Sequence, residues 1–165
     1  MEFDSTSFRT VMGHYPTGVC VITGVAPNGD ALGLTVGTFT SVSLNPPLIG
    51  FFPDKKSTSW PLIGASGQFC VNILASDQEA VCRTFSGPAR DRFSEVAHGH
   101  SDAGLPVLDG AVGWLDCDIY SVIEAGDHFL VLGRVKAMSA DAFASPLIFH
   151  KGRFAQVSTL EASWA

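Results

Sequence analysis

Between residues 33 and 47 the chain alternates apolar and polar positions: Leu34, Val36, Val42 and Leu44 are interleaved with Gly33, Thr35, Ser41 and Ser43. That is the period of two expected of a strand with one buried face. The alternation inverts in the middle, where Thr38 and Thr40 fall on the apolar side and Phe39 on the polar side. An inversion predicts a bend, a bulge or a departure from the sheet, any of which re-aims side chains and frees backbone N–H groups. Crowded with hydroxyls and glycines, the stretch can cradle a flat, polar ligand. Thr is also an ordinary strand former and Asn45-Pro46-Pro47 an ordinary turn, so the pattern alone leaves both readings open.

The same reasoning places the other elements. A short helix is predicted over residues 4–14, with Asp4 or Ser5 as N-cap and Phe8, Val11 and Met12 on one face. A β-branched strand over 19–25 turns at Pro27-Asn28-Gly29-Asp30 into a second over 31–39. Residues 48–52 form a fully buried strand, broken at 53–59, with Ser57 capping a helix that runs through Ile63. A strand over 68–74 leads to the capping box Ser76-Asp77-Gln78-Glu79 and a helix reaching Phe85. Residues 98–102 are predicted as surface loop. A long strand over 111–125 turns back through Gly126-Asp127 into another over 128–138; a last hairpin (147–150 and 153–156) precedes a loose tail from Thr159. About seven strands with few helices between them fit a mainly β, closed or nearly closed barrel better than a doubly wound sheet.

Composition narrows the setting. The 165 residues, 46% apolar and 16% charged, predict one domain with one core. A net charge of −6 argues against nucleic acid or an anionic membrane as partner, so an anionic ligand must be met by local basic residues. Cys20, Cys70, Cys82 and Cys117 lie far apart, without the spacing of a zinc site or a disulfide framework. In His98-Gly99-His100-Ser101-Asp102 the two adjacent imidazoles have no third ligand at a fixed helical spacing, so the stretch is read as surface loop and no metal is expected. The N-terminus has no leader pattern and no apolar run has membrane-spanning length, so a soluble, cytoplasmic protein is expected.

Three places carry candidate chemistry. Lys55, Lys56, Ser57 and Thr58 precede a predicted helix, where N–H groups, hydroxyls and positive charge can meet a phosphate; the alternative is a solvated lysine turn. Arg83, Arg90 and Arg92 flank Gly87-Pro88 and can each grip a phosphate bidentately or pair with Glu79, Asp91 or Glu95. His128 stands at a hairpin tip, where an imidazole is either a ligand contact or a solvated turn residue. No Gly-x-Gly-x-x-Gly, Walker, Gly-x-Ser-x-Gly or His-Glu-x-x-His pattern is found, nor a carboxylate acid–base pair.

Several blocks in order resemble the flavin reductase-like, FMN-binding split-barrel family. They are Pro-Thr-Gly-Val-Cys-Val-Ile-Thr from Pro16, the 33–49 stretch, Phe-Cys-Val-Asn-Ile-Leu followed by Ser76-Asp77-Gln78, and the Phe85–Phe93 loop. Gly126-Asp127-His128 with its Gly-Arg-Val strand and the Pro-Leu and Gly-x-Phe of the last hairpin complete a resemblance covering residues 8–157. The resemblance implies an FMN-binding split β-barrel, homodimeric, that passes a hydride from NADH (or NADPH) to FAD or FMN and feeds reduced flavin to a partner flavin-dependent monooxygenase. The flavin carries such chemistry, so the protein need only stack two rings and donate hydrogen bonds.

By the same resemblance, Thr35, Val36, Thr38, Ser41, Val42 and Ser43 line the isoalloxazine and ribityl chain. Lys56, Ser57 and Thr58 meet the phosphate end, and Phe85, Arg90, Arg92 and Phe93 complete the nucleotide site. His128 takes the nicotinamide side, oriented by Asp127, with His14 a second candidate for that space. Gly37 and the bulky Gly50-Phe51-Phe52-Pro53 depart from the family pattern; they leave FMN against FAD, and the tightness of binding, open. Rival readings are a flavoprotein that keeps its flavin and reduces a corrinoid or ferric complex, and a non-enzymatic flavin or haem binder.

Overall fold

The computed structural model describes residues 3–88 and 91–158; Arg90 and the predicted tail lie outside them. The elements in chain order are α1 (Ser5–Gly13), β1 (Thr17–Gly18), β2 (Cys20–Val25), β3 (Ala31–Val36), β4 (Thr40–Leu44), β5 (Pro47–Phe51), α2 (Trp60–Ala65) and β6 (Gln68–Ile73). There follow α3 (Glu79–Ser86), β7 (His98–His100), β8 (Pro106–Leu108), β9 (Gly113–Ala125), β10 (His128–Ala140), β11 (Leu147–His150) and β12 (Arg153–Gln156). The fold is mainly β with few short helices.

Seven strands form one antiparallel sheet in the order β3-β2-β6-β9-β10-β5-β4. Strands β3 and β4, consecutive in the chain, are its two edges, and residues 37–39 cross between them. The inverted alternation marks that crossing. The predicted strand over 31–39 therefore ends at Val36, and β4 adds its own irregularity between Ser41 and Ser43. The sheet is not closed into a barrel. Among the described residues no ladder joins β3 to β4; the Thr38 hydroxyl instead accepts the Phe52 N–H at 2.9 Å.

The sheet wraps a core of Ile22, Phe51, Phe69 and Val131, into which α2 inserts Trp60 and Ile63. Phe51 meets Phe69 and Trp60 edge-on, at centroid distances of 5.2 and 5.5 Å. A second cluster joins Val19, Val21 and Leu74 to Phe85 of α3, Val96, Leu108 and Leu147. Between them runs a satisfied buried polar chain: Asn72 Nδ2 donates to Thr23 Oγ1 at 3.0 Å, Thr23 Oγ1 donates to the Pro106 carbonyl at 2.6 Å, and Asn72 Oδ1 accepts from Leu108 N at 2.8 Å. Buried donors and acceptors need such partners, and this chain ties the β7–β8 hairpin to the sheet. Residues 98–100, predicted as loop, are a strand for that reason.

The capping predictions divide. Asp4 caps α1 as expected, accepting from Thr6 N and Ser7 N at 2.9 and 3.1 Å; these bonds, and foremost one from the Ser7 hydroxyl, hold its carboxyl below the usual range. No residue of α1 is buried, so Phe8, Val11 and Met12 face outward. The capping box at α3 does not form. Gln78 takes the N-cap position, but its carboxamide accepts from Ala75 N at 2.9 Å and donates to the Asp109 carbonyl at 2.8 Å.

Candidate functional site

A cleft of about 500 Å³ opens where β3 leaves the sheet. Residues 34–38 form one wall and His128 stands with Pro53 and Asp54 in the other, while Lys56 to Ser59 and Arg92 close the ends. Leu34 and Val36 are buried, so they offer the cleft mainly backbone. Thr35 Oγ1 donates to the Cys82 carbonyl at 3.2 Å, and the Thr38 hydroxyl is committed to Phe52. These hydroxyls therefore hold the wall together, leaving backbone groups as its principal ligand contacts. At Gly37 an added Cβ would stand 3.2 Å from Thr17 Oγ1, a close approach that keeps the bend next to β1.

The β3 wall is fixed from behind. A Cβ on Gly33 would lie 2.5 Å from the Phe85 ring, so glycine lets that ring, itself 2% exposed, sit directly on the strand. The Arg92 guanidinium donates to the carbonyls of Gly33 and Gly87, and its Nε is buried without a partner. Burial lowers its pKa, yet a guanidinium stays protonated at any ordinary pH.

The opposite wall hangs on a turn. Gly126 takes a φ of +64°, the left-handed region glycine favours. The Asp127 carbonyl accepts from Lys55 N and the Pro53 carbonyl from Phe129 N, each at 3.0 Å. His128 is thereby held at the cleft with 39% of its side chain exposed and Nδ1 at 2.7 Å from Asp127 Oδ1. That bond, then the charge of His128, keeps the Asp127 carboxyl well below the usual range.

At the phosphate-like end, α2 starts at Trp60 rather than at Ser57. Ser57 still caps it from the preceding turn, its Oγ accepting from Trp60 N at 3.1 Å, and Asp54 Oδ1 accepts from Lys56 N at 2.7 Å. Lys55 turns away to Glu124 at 3.0 Å and lies over the Phe129 ring, whereas Lys56 lines the cleft. Thr58 and Ser59 line it too.

Of the predicted residues, then, Thr35, Val36, Thr38, Lys56, Ser57, Thr58, Phe85, Arg92 and His128 converge on one cleft. Others do not. Ser41, Val42 and Ser43 are on β4, carried to the far edge of the sheet by the bend. Phe93 borders a second, adjoining cavity, its ring edge-on to Phe85 at 5.1 Å. Arg83 pairs with Glu79 at 2.6 Å and covers the Phe154 ring, since one helical turn separates the two charges on α3. His14 bonds the Thr10 carbonyl at 2.9 Å beside a different cavity with Arg9 and Lys151, because α1 packs by the β11–β12 turn. Sequence reasoning overlooked Pro53, Asp54 and Ser59; the Pro-Asp-Lys-Lys-Ser turn was the available signal for the first two.

The arrangement offers two cations, Lys56 and Arg92, hydroxyls beside them, backbone polar groups along β3 and an imidazole at His128. Such a set suits a hydroxylated, phosphorylated ligand with a planar head. Among the described residues, no group of three or more His, Cys, Asp or Glu can hold a metal ion, and no helix is long and apolar enough to cross a membrane.

Residues 12–158 match the family model described as flavin reductase like domain. A flavin reductase of Pseudomonas putida is 48% identical over 151 residues, 92% of this chain and 89% of that protein. The reductase subunit HsaB of a flavin-dependent monooxygenase from Rhodococcus jostii is 38% identical, over 98% of this chain and 84% of its own. Among solved structures, the NADH:FAD oxidoreductase SgcE6 of Streptomyces globisporus, in complex with NAD and FAD fragments, superposes with a TM-score of 0.91 at 32% identity, covering 98% of this chain and all (100%) of its own.

Proposed function

The chain belongs to the flavin reductase-like family and is an NAD(P)H-dependent flavin oxidoreductase; from that premise we propose that the cleft between β3 and His128 is where hydride passes to flavin, and that reduced flavin leaves for a partner monooxygenase. The observation that carries this reading is the convergence on one cleft of two unlike elements, a fixed run of backbone at residues 34–38 and a half-exposed imidazole at His128.

A flavin supplies the electrophilic ring that accepts the hydride. What remains for the protein is to hold two planar groups face to face and keep water from between them. The β3 backbone and the bend at Gly37 would orient the flavin ring, with Ser57, Thr58, Lys56 and Arg92 meeting its phosphate end. His128, steadied through Nδ1 by Asp127, would place its ring against the nicotinamide. Its role is positioning, since hydride transfer from a dihydronicotinamide needs no protein nucleophile.

A homodimer and a cytoplasmic setting belong to the same proposal. Leu44, Met138 and Phe143 are 95%, 71% and 97% exposed, large apolar side chains that a second copy of the chain would cover in a homodimer. The four cysteines are free and buried, which suits the reducing cytoplasm where NADH is found.

The test is oxidation of NADH by the purified protein, followed by loss of its absorbance with FMN, FAD or riboflavin added in turn and NADPH as the alternative donor. Flavin-dependent turnover is the expected result. Tight flavin binding without turnover would replace this reading by that of a flavin-binding protein.

A further inference from the structure

A cavity of about 350 Å³ lies between the loop at residues 102–105 and the outer face of the sheet, and it shares no residue with the cleft. Its floor follows from the period of the strands. On β9, Cys117 points into the core with Phe69, its partner on β6, so Asp116 and Asp118 point the other way. The loop adds Asp102, and the cavity thus gathers three carboxylates in one place.

Their circumstances differ. Asp118 is satisfied: Gln68 Nε2 donates to its Oδ1 at 2.9 Å and Lys136 Nζ lies 3.3 Å from its Oδ2. The bond from Gln68, and then that from Lys136, hold its carboxyl below the usual range. Asp116 is not satisfied. It is 3% exposed and borders the cavity, and among the described residues its enclosed Oδ1 has no hydrogen-bond donor. Cys70 stands opposite in the ladder, its thiol pushed up by burial and then by the Asp116 charge, so that it keeps its proton. A thiol is only a weak donor. Lys136, on the same cavity, is engaged by Asp118.

A buried carboxylate without a partner is costly, and a cation that also carries N–H donors relieves both its charge and its open lone pair. A metal ion does not suit the place: an ammonium group already stands in it, and among the described residues no group of three His, Cys, Asp or Glu can hold one. We propose that the cavity binds a small organic ammonium ion, a protonated primary amine whose N–H groups reach Asp116 and Asp102. Asp116 is the buried anchor, and Asp102, on the exposed loop, closes over the ligand from the solvent side.

The test is thermal unfolding of the full chain, without flavin or NADH, with ethylammonium chloride added at constant ionic strength. Tetramethylammonium, which has the same charge and no N–H, is the control. The midpoint should rise with the logarithm of ethylammonium concentration, by about 3 to 6 °C at tenfold above Kd. Tetramethylammonium should move it by less than about 1 °C. Asp116→Asn keeps the shape of the side chain and removes its charge, and it should abolish the rise. Asp102→Asn should weaken ethylammonium binding by about three- to fivefold. An equal rise with both cations, or one that survives Asp116→Asn, would show a general salt effect and overturn the site. No rise with ethylammonium would overturn it as well and leave Asp116 to internal water. If Asp116→Asn does not fold, an unchanged affinity in Asp102→Asn overturns the site in its place.

Discussion

The two walls of the cleft are built by different physics. The β3 wall is held by contacts remote in sequence: Phe85 lies on Gly33, Thr35 bonds the carbonyl of Cys82, and Arg92 reaches back to Gly33. The His128 wall is a hairpin turn pinned by backbone bonds to residues 53–55, with its side chains half in water. Changes in the first should therefore be felt as stability, and changes in the second as chemistry.

Gly33→Ala should have the largest effect. Its Cβ would meet the Phe85 ring at 2.5 Å, with Phe93 packed edge-on to that ring, and overpacking of this kind costs about 3 kcal/mol. Urea unfolding measures it, and an unchanged midpoint would mean that the wall is not packed as described.

The packed side should also be the one sensitive to alkali. Burial pushes the thiols of Cys20, opposite Val36 in the ladder, and Cys117 up to about 12 from 9.0, and raises that of Cys70. Above 9.0 the unfolded chain releases these protons while the folded chain retains them. The unfolded state then binds fewer protons, and stability falls as pH rises, by about 1.4 kcal/mol per pH unit for each thiol. Unfolding free energies measured on either side of 9.0 should show the fall, and Cys20→Ala should reduce its slope.

Thr38→Val sits where the two walls meet. It removes the acceptor of the Phe52 N–H and should cost about 1 kcal/mol, visible in the same unfolding curve. A cost near zero would show that water replaces the hydroxyl at the mouth of the cleft. His128→Ala, on the turn, should change stability by less than about 0.5 kcal/mol. A large loss of stability there would erase the contrast between the walls.

Much of this was legible in the chain. The alternation in β3, the turn at Gly126 and the inversion at residues 37–39 all follow from local pattern, because the pleat and the glycine's conformational freedom are local properties. What escaped was global. That Ser41 to Ser43 part company with Thr35 depends on the sheet order, which places consecutive strands at opposite edges. That Arg92 rather than Arg83 reaches the cleft depends on Glu79 lying one turn away on α3. The predicted capping box at Ser76 to Glu79 gave way to Gln78, whose side chain reaches the Asp109 carbonyl 31 residues on, and β7 exists because Thr23 and Asn72 hold its hairpin from beneath.

The most direct test of the account is steady-state NADH oxidation by His128→Ala beside the wild type, with flavin Kd measured separately. If the imidazole positions the nicotinamide across from the flavin, KM for NADH should rise by about tenfold while flavin Kd moves far less. An unchanged KM would remove His128 from the site and contradict the division of labour between the two walls.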